Sequence, residues 1–225
     1  MIINKKTKIV ATLGPATNTK ETLTELASSG VNVFRINFSH ADYEDVKKRV
    51  KQIREINHEN GYNIAVLADL QGPKLRVGVM EDGVILEDGD EFIFTTEECV
   101  GNNEKAYMTY QNFPRDVKPG EQILVDDGKL LFEVISTDKK LKVVTKVIVG
   151  GVLSSKKGVN LPNTNISLPA LTEKDKKDAI FALSLDVDWL ALSFVRTPED
   201  LRILRDLIAQ NSKYRVPVIA KIEKP

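Results

Sequence analysis

The chain has little of several features that mark whole classes of protein. Among its 225 residues there is one cysteine, Cys99, which excludes an internal disulfide and fits a reducing compartment. Lys plus Arg and Asp plus Glu number 32 each, so no net charge attracts nucleic acid or a membrane. No apolar run is long enough to span a bilayer, and residues 1–8 lack the apolar core of a signal peptide. We therefore expect a cytoplasmic protein without nucleic-acid or membrane partners, in which Cys99 has no chemical role.

The chain is 42% hydrophobic and 28% charged, which is typical of a globular protein. Its sequence shows one secondary-structure pattern in its two end regions and another in the middle. In residues 1–73 and 166–225, β-type runs are followed by helix signals, as in an α/β fold. Strands are predicted at Lys8–Leu13, Val31–Phe38, Ile64–Ala68, Trp189–Val195 and Val216–Ile222. Helices are predicted from a cap at Asn18 to Gly30, over Asp42–Asn60, from Thr172 to about Leu185, and from Thr197 to about Gln210.

A different pattern fills the middle of the chain, from about Val77 to Val159. Short runs rich in Val, Ile, Phe and Tyr alternate there with closely spaced turn signals such as Asp88-Gly89 and Pro119-Gly120. This indicates a small all-β module. We predict a partial (β/α)8 TIM barrel of about the first five strands, with an inserted all-β lid domain: residues 1–73 and 166–225 form the barrel parts, and residues 74–165 the insert. An open doubly wound sheet is the alternative fold.

Polar residues follow the apolar strands at their C-terminal ends. Arg35, Asn37 and Ser39 are predicted to share one strand face, because side chains alternate along a strand. Asp69 and Ser193 end the next two strands, and Lys221 and Glu223 share a face on the last. Barrel enzymes place catalytic groups at this end of their strands, which favours the barrel over the open sheet.

The residue types in this set favour phosphoryl-transfer chemistry. Arg35 offers a planar fork suited to two phosphate oxygens, and Lys221 offers a point charge. Glu223 offers a hard oxygen ligand suited to Mg²⁺. A lysine, a metal ion and an arginine that converge on one place can stabilise a transferring phosphoryl group. The sequence contains neither a Walker-type loop nor the protein-kinase glycine loop, so side chains must do this work.

Seven segments, taken together, resemble the pyruvate kinase family in order and spacing. They are Thr7–Pro15 (TKIVATLGP), Phe34–His40 (FRINFSH), Ala68–Arg76 (ADLQGPKLR), Val125–Gly128 (VDDG), Lys156–Pro162 (KKGVNLP), Leu192–Arg196 (LSFVR) and Lys221–Glu223 (KIE). The resemblance covers the whole chain. It implies transfer of phosphate from phosphoenolpyruvate to ADP in glycolysis, with Mg²⁺ or Mn²⁺ as cofactor and a homotetrameric full-length protein.

The resemblance also implies roles for individual residues. Arg35 would bind the substrate phosphate, Lys221 would stabilise the transferring phosphoryl group, and Ser193 would lie near the metal and substrate. Glu223 would be one of two carboxylate ligands of the divalent metal. The implied monovalent-cation ligands are Asn37, Ser39, Asp69 and the carbonyl of Leu70. The implied nucleotide-binding residues are Arg76, Lys157, His40 and Pro15. His40 could equally be a helix-entry histidine bonded to nearby backbone, and Lys157 a solvated lysine.

The chain departs from the family pattern in two places. Lys74 stands where many members have an acid, and Leu70 and Gln71 lie beside it, which resembles a branch of the family that works without K⁺. An ammonium at this position would repel K⁺ and could replace its charge, unless Lys74 points to solvent. The family's second metal ligand and later strands are not found before Pro225. We expect this polypeptide to be an incomplete fragment without useful turnover on its own.

Two other functions remain open from the sequence. A metal-dependent lyase or aldolase on a similar barrel would also bind small keto acids at strand ends, although it would have no use for a nucleotide. A catalytically inactive fragment or pseudoenzyme, which only folds or binds, is the non-enzymatic alternative.

Overall fold

The computed structural model of the chain describes residues 6–223, with the backbone but not the side chain of His40. It divides into two compact units, each with a hydrophobic core of its own. The first unit is built from the residues up to Pro73 and from Pro169 onward, and the second from Lys74–Leu168. The second unit is thus an insertion in the sequence of the first.

The regular elements of the described residues are as follows in chain order. The strands are β1 (Val10–Thr12), β2 (Val33–Asn37), β3 (Ala65–Asp69), β4 (Ile85–Leu86), β5 (Glu91–Thr95), β6 (Lys105–Tyr107), β7 (Gln122–Val125), β8 (Leu130–Thr137), β9 (Lys142–Val149), β10 (Gly151–Val152), β11 (Val159–Asn160), β12 (Trp189–Leu192) and β13 (Val218–Ala220). The α-helices are α1 (Lys20–Ser28), α2 (Tyr43–Asn60), α3 (Phe113–Asp116), α4 (Glu173–Ser184) and α5 (Pro198–Asn211). One-turn 3-10 helices span Pro15–Thr17 and Phe38–His40.

The first unit has one parallel sheet in the order β1-β2-β3-β12-β13. The central strand β3 has apolar side chains buried on both faces, as expected of a parallel strand that is covered on both sides. Helices separate the strands along the chain, and their apolar stripes join the same core; the buried stripe of α2 consists of Val46, Val50, Ile53 and Ile56. The predicted α/β class is confirmed.

Most helix ends agree with their sequence signals. Thr172 and Thr197 each form a capping box with an acidic residue three positions on, and Gly61 ends α2 with a φ of 67°. The predicted cap Asn18 is wrong. Thr19 caps α1 instead, because its Oγ1 accepts from the Thr22 N–H at 3.2 Å, while Asn18 ends the preceding one-turn helix.

The second unit is dominated by a six-stranded sheet in the order β11-β7-β8-β9-β5-β6. Its pairs are antiparallel, apart from the parallel pair β5 and β6. Strands β4 and β10, distant in sequence, form a separate antiparallel pair. Phe92, Phe94 and Phe132 pack edge to face or tilted in its core. The expected β module contains one short helix, α3, with a proline in its first turn, where a missing N–H is harmless.

Candidate active site

The parallel strands of the first unit bring polar side chains to one edge of the sheet. Thr12 and Arg35 are register partners on β1 and β2, and Asp69 at the end of β3 is partnered by Asn37 and by Ala191. The carboxyl ends of these strands therefore meet. A chain of contacts through Asp69 and Lys221 joins five of the predicted site residues here: Arg35, Asp69, Ser193, Lys221 and Glu223.

The centre of this site is the carboxylate of Asp69, which is 3% exposed. Arg35 donates to its Oδ2 through Nε at 2.7 Å and Nη2 at 2.5 Å. Lys221 Nζ lies 3.2 Å from Oδ1 and 3.3 Å from Oδ2. A buried carboxylate needs partners of opposite charge, and Asp69 has two. We call Arg35 and Lys221 the cation pair.

Lys221 is also held by a hydroxyl. Its Nζ lies 2.8 Å from Ser193 Oγ, and Ser193 Oγ lies 2.6 Å from the carbonyl oxygen of Leu70. An ammonium group has only donors, so Ser193 accepts from Lys221 and donates its own hydrogen to Leu70. The Leu70 carbonyl, a predicted cation ligand, thus already has a donor.

Glu223 completes the contacts of Lys221, with its Oε1 3.2 Å from Nζ. Its side chain is 32% exposed, so a solvent-borne cation can reach it. Within residues 6–223, no group of three or more His, Cys, Asp or Glu side chains is placed to hold a metal ion. Glu223 fits one position of a Mg²⁺ site of the kind that takes one or two carboxylates plus substrate oxygens.

The segment after β2 differs from the sequence prediction. The strand ends at Asn37, and Ser39 lies in the following one-turn helix, so Ser39 does not share a strand face with Arg35. The cause is local, because the Asn37 side-chain oxygen accepts from the Ser39 N–H at 3.0 Å and caps that helix. The side chain of His40 lies outside the described residues. Pro15 is exposed at the start of the one-turn helix after β1.

The predicted nucleotide residues of the second unit are neighbours. Arg76 and Gly158 form an antiparallel bridge, and the Val77 N–H donates to the Lys157 carbonyl at 3.0 Å. Lys157 Nζ lies 3.0 Å from Asp126 Oδ1. The pKa of Asp126 is lowered by its hydrogen bond from Lys129 and then by that from Lys157. Lys157 is therefore an ion-paired residue in this structure.

Arg76 borders a cleft in the second unit of about 380 Å³. Its Nη1 donates to the carbonyl of Lys156 at 2.6 Å. Apolar side chains and Tyr107 form most of the cleft wall, and Cys99 is half-buried in it. Lys74, at the start of this unit, has an exposed side chain.

Two contacts of this site were not predicted from the sequence. Thr12 Oγ1 accepts from Arg35 Nη1 at 2.8 Å. The fully buried Asp175 accepts from the Gly72 N–H at 3.1 Å, in the turn after β3. The sequence signal for Thr12 was weak, since it is one hydroxyl residue near the end of a predicted β-type run; in the structure it ends β1 on the same face as Val10. Asp175 does have a sequence signal, as an acidic residue three positions after the helix cap Thr172, but that signal predicts a helix start and not a contact with Gly72.

Comparisons with known proteins bear on this arrangement. The family model described as pyruvate kinase, barrel domain, matches residues 4–225. The chain is 43% identical to the pyruvate kinase of Corynebacterium glutamicum over 224 residues, which are 99% of the chain and 47% of that protein. It is 42% identical to the pyruvate kinase of Bacillus licheniformis over 221 residues, 97% of the chain and 38% of that protein. It is 45% identical to pyruvate kinase 2 of Synechocystis over 224 residues, 98% of the chain and 38% of that protein.

The chain thus spans less than half the length of these curated relatives. No helix among the described residues is both long and apolar enough to cross a membrane. The match to the barrel-domain model agrees with the parallel sheet and confirms the predicted barrel class. By a family match over nearly all of its length, the chain belongs to the pyruvate kinase family.

Proposed function

We propose that the protein carrying this barrel domain transfers a phosphoryl group from phosphoenolpyruvate to ADP, giving pyruvate and ATP in glycolysis. The observation that carries the proposal is the cation pair, Arg35 and Lys221, held on one buried carboxylate at the carboxyl ends of parallel strands. Two adjacent cations suit the charge that spreads over the oxygens of a transferring phosphoryl group.

In this proposal Arg35 binds the phosphate of phosphoenolpyruvate and Lys221 stabilises the group in transfer. Asp69 keeps both cations in place before substrate arrives, and Ser193 orients the ammonium group. Glu223 would hold Mg²⁺ or Mn²⁺ together with substrate oxygens, and the ion would supply positive charge to the phosphoryl oxygens. The pairing of Glu223 with Lys221 at 3.2 Å supports a metal position close to the ammonium group.

We assign the nucleotide to Arg76 and Lys157, with Pro15 and His40 contributing as the family resemblance implies. Support comes from the neighbouring backbones of Arg76 and Lys157 and from the 34% exposure of the Lys157 side chain. Lys157 would exchange its Asp126 partner for a nucleotide phosphate. A cytoplasmic address and a homotetrameric full-length form are part of the same proposal.

The direct test is formation of pyruvate by the complete protein supplied with phosphoenolpyruvate, ADP and Mg²⁺. Lys221→Met is expected to lower kcat by about 10²–10³-fold, the usual effect of removing one group that stabilises transition-state charge. Lys176→Met is a matched control, since Lys176 in α4 forms a solvent-exposed pair with Glu173. Pyruvate release without ADP, with free phosphate as the second product, would indicate hydrolysis and not transfer to a nucleotide, and an unchanged kcat in Lys221→Met would refute the assignment.

We also propose that activity does not require K⁺. Three of the oxygens expected to bind it already have protein donors: Leu70 O accepts from Ser193, Asn37 Oδ1 from Ser39, and Asp69 from the cation pair. Lys74, whose side chain is exposed in this structure, would have to turn away from solvent to supply the missing positive charge. Activity in buffer free of K⁺ and Na⁺ should change less than two-fold when KCl is added, whereas Lys74→Glu should become dependent on KCl. The control Lys156→Glu, also an exposed lysine of the second unit, should not.

We further propose that the 225 residues alone have no useful turnover. One carboxylate, Glu223, is a weak Mg²⁺ site by itself, and the curated relatives are about twice as long. A purified, sequence-verified 225-residue polypeptide should therefore give no pyruvate above the background of a Lys221→Met sample. Turnover at the rate of the complete protein would refute this.

A further inference from the structure

The guanidinium group of Arg35 is held from two sides. Its Nε and Nη2 donate to Asp69 Oδ2 at 2.7 and 2.5 Å, and its Nη1 donates to Thr12 Oγ1 at 2.8 Å. Guanidinium has five N–H groups, and these contacts use three of them. The residues that the structure describes provide no further partner for Arg35, which leaves two N–H groups for a ligand.

Thr12 reaches Arg35 because of the strand register. The two residues are partners on the parallel strands β1 and β2, and the Leu13 N–H donates to the Arg35 carbonyl at 2.9 Å just beyond them. Thr12 is exposed, so its side chain is not needed to fill a core. A β-branched side chain has few rotamers, which keeps its hydroxyl in a fixed direction.

The two contacts constrain Arg35 differently. Asp69 binds one edge of the guanidinium through a single oxygen, about which the planar group can still swing. The Thr12 hydroxyl binds the third nitrogen and removes that freedom. A fork aimed in advance at two phosphate oxygens loses less entropy when it binds them.

We propose that Thr12 is a positioning residue for phosphate recognition, acting through the orientation of Arg35. This rests on the proposed function, in which Arg35 binds the phosphate of phosphoenolpyruvate. Because Arg35 would hold that phosphate both before and during transfer, weaker positioning lowers binding in both states and raises KM while kcat changes little. ADP binding does not depend on Arg35, so its KM stays unchanged.

The experiment uses the complete protein and three variants. Thr12→Val keeps the shape of the side chain and removes the hydroxyl, and Thr12→Ser restores the hydroxyl. Thr24→Val is the matched control, because Thr24 in α1 also donates a hydroxyl hydrogen bond, to the Lys20 carbonyl at 2.8 Å, away from the site. Thr12→Val should raise KM for phosphoenolpyruvate about 5–10-fold, with kcat and KM for ADP within two-fold. Thr12→Ser and Thr24→Val should both stay within two-fold of wild type.

A double-mutant cycle shows whether Thr12 acts through Arg35. In an Arg35→Lys background, Thr12→Val should add less than a two-fold change, since the fork that Thr12 orients is gone. Full additivity overturns the inference, as does a Thr12→Val protein with wild-type KM for phosphoenolpyruvate. A lower kcat together with a raised KM for both substrates and a lower unfolding midpoint also overturns it, since that combination indicates a structural role. A complete wild-type protein that does not convert phosphoenolpyruvate and ADP overturns the proposed function first, and this inference with it.

Discussion

Asp69→Asn tests the central feature of the site, which is one buried carboxylate shared by two cations. The substitution keeps the size of the side chain and removes its charge. The cation pair must lie within about 6 Å, because Arg35 Nη2 and Lys221 Nζ bind the same Asp69 oxygen at 2.5 and 3.3 Å. Without the carboxylate, these two positive charges repel each other with no compensating partner.

The size of the effect follows from distance and exposure. Two unit charges about 6 Å apart repel by about 3 kcal/mol at an effective dielectric constant of about 20, and the Asp69 carboxylate offsets this repulsion in the wild type but not in the variant. The side chains of Arg35 and Lys221 are 29% and 31% exposed, so water screens part of this. We expect Asp69→Asn to lower the free energy of unfolding by about 2–3 kcal/mol, below the 3–5 kcal/mol typical of a fully buried pair.

The assay is urea unfolding followed by the fluorescence of Trp189, the one tryptophan of the chain, which lies in β12 beside β3. Glu199→Gln is the control, since its pair with Arg202 is 63% and 68% exposed and should contribute less than about 1 kcal/mol. If the two variants lose the same stability, or Asp69→Asn gains stability, then the carboxylate is not the partner that holds the cation pair.

Three further substitutions have expected outcomes. Gly72→Ala should cost about 2–4 kcal/mol, because Gly72 has a φ of 69° and an added Cβ would lie 2.8 Å from Phe194. Asp200→Asn should cost about 1 kcal/mol at pH 7. Burial raises the pKa of Asp200, but backbone hydrogen bonds outweigh it and the net shift is downward, so its contribution is present above about pH 4 and lost as pH falls further. Tyr43→Phe should cost about 1 kcal/mol at pH 7, because it removes a phenolic hydrogen bond. Burial raises the pKa of Tyr43 to about 12, so its contribution is complete below about pH 10 and lost as pH rises toward 12.

Each of these three has a measurement that can contradict it. Gly61→Ala shares the positive φ of Gly72 but has open space around its Cβ, so it should cost only about 1–2 kcal/mol; an equal loss would exclude the close contact as the cause. Acid unfolding of Asp200→Asn should converge with wild type at low pH, and parallel curves would contradict the pKa direction. An absorbance titration of Tyr43→Phe should lack a tyrosine component that ionises at about pH 12 in the wild type.

Local signals predicted much of the fold correctly. Strand and helix alternation, the inserted β module, and the helix caps at Thr172 and Thr197 follow from residues close together in sequence. The cap of α1 was misplaced by one residue, since Asn18 and Thr19 are both good caps and only the 3-10 turn before α1 decides between them. The one-turn helix after Asn37 was predicted as strand. The Asn37 side chain ends the strand by capping that helix, and so short a helix leaves no periodic pattern in the sequence.

The sequence by itself determined which residues carry charge to the strand ends, because β-strand alternation and apolar runs make Arg35, Asp69 and Lys221 stand out. Only the tertiary structure decided which of these side chains form ion pairs with one another. Asp69 meets Arg35 across 34 positions and Lys221 across 152, and no local pattern encodes such separations. They depend on the register of parallel strands. The same register places Thr12, which was not predicted as a site residue, where its hydroxyl accepts a hydrogen bond from the Arg35 guanidinium group.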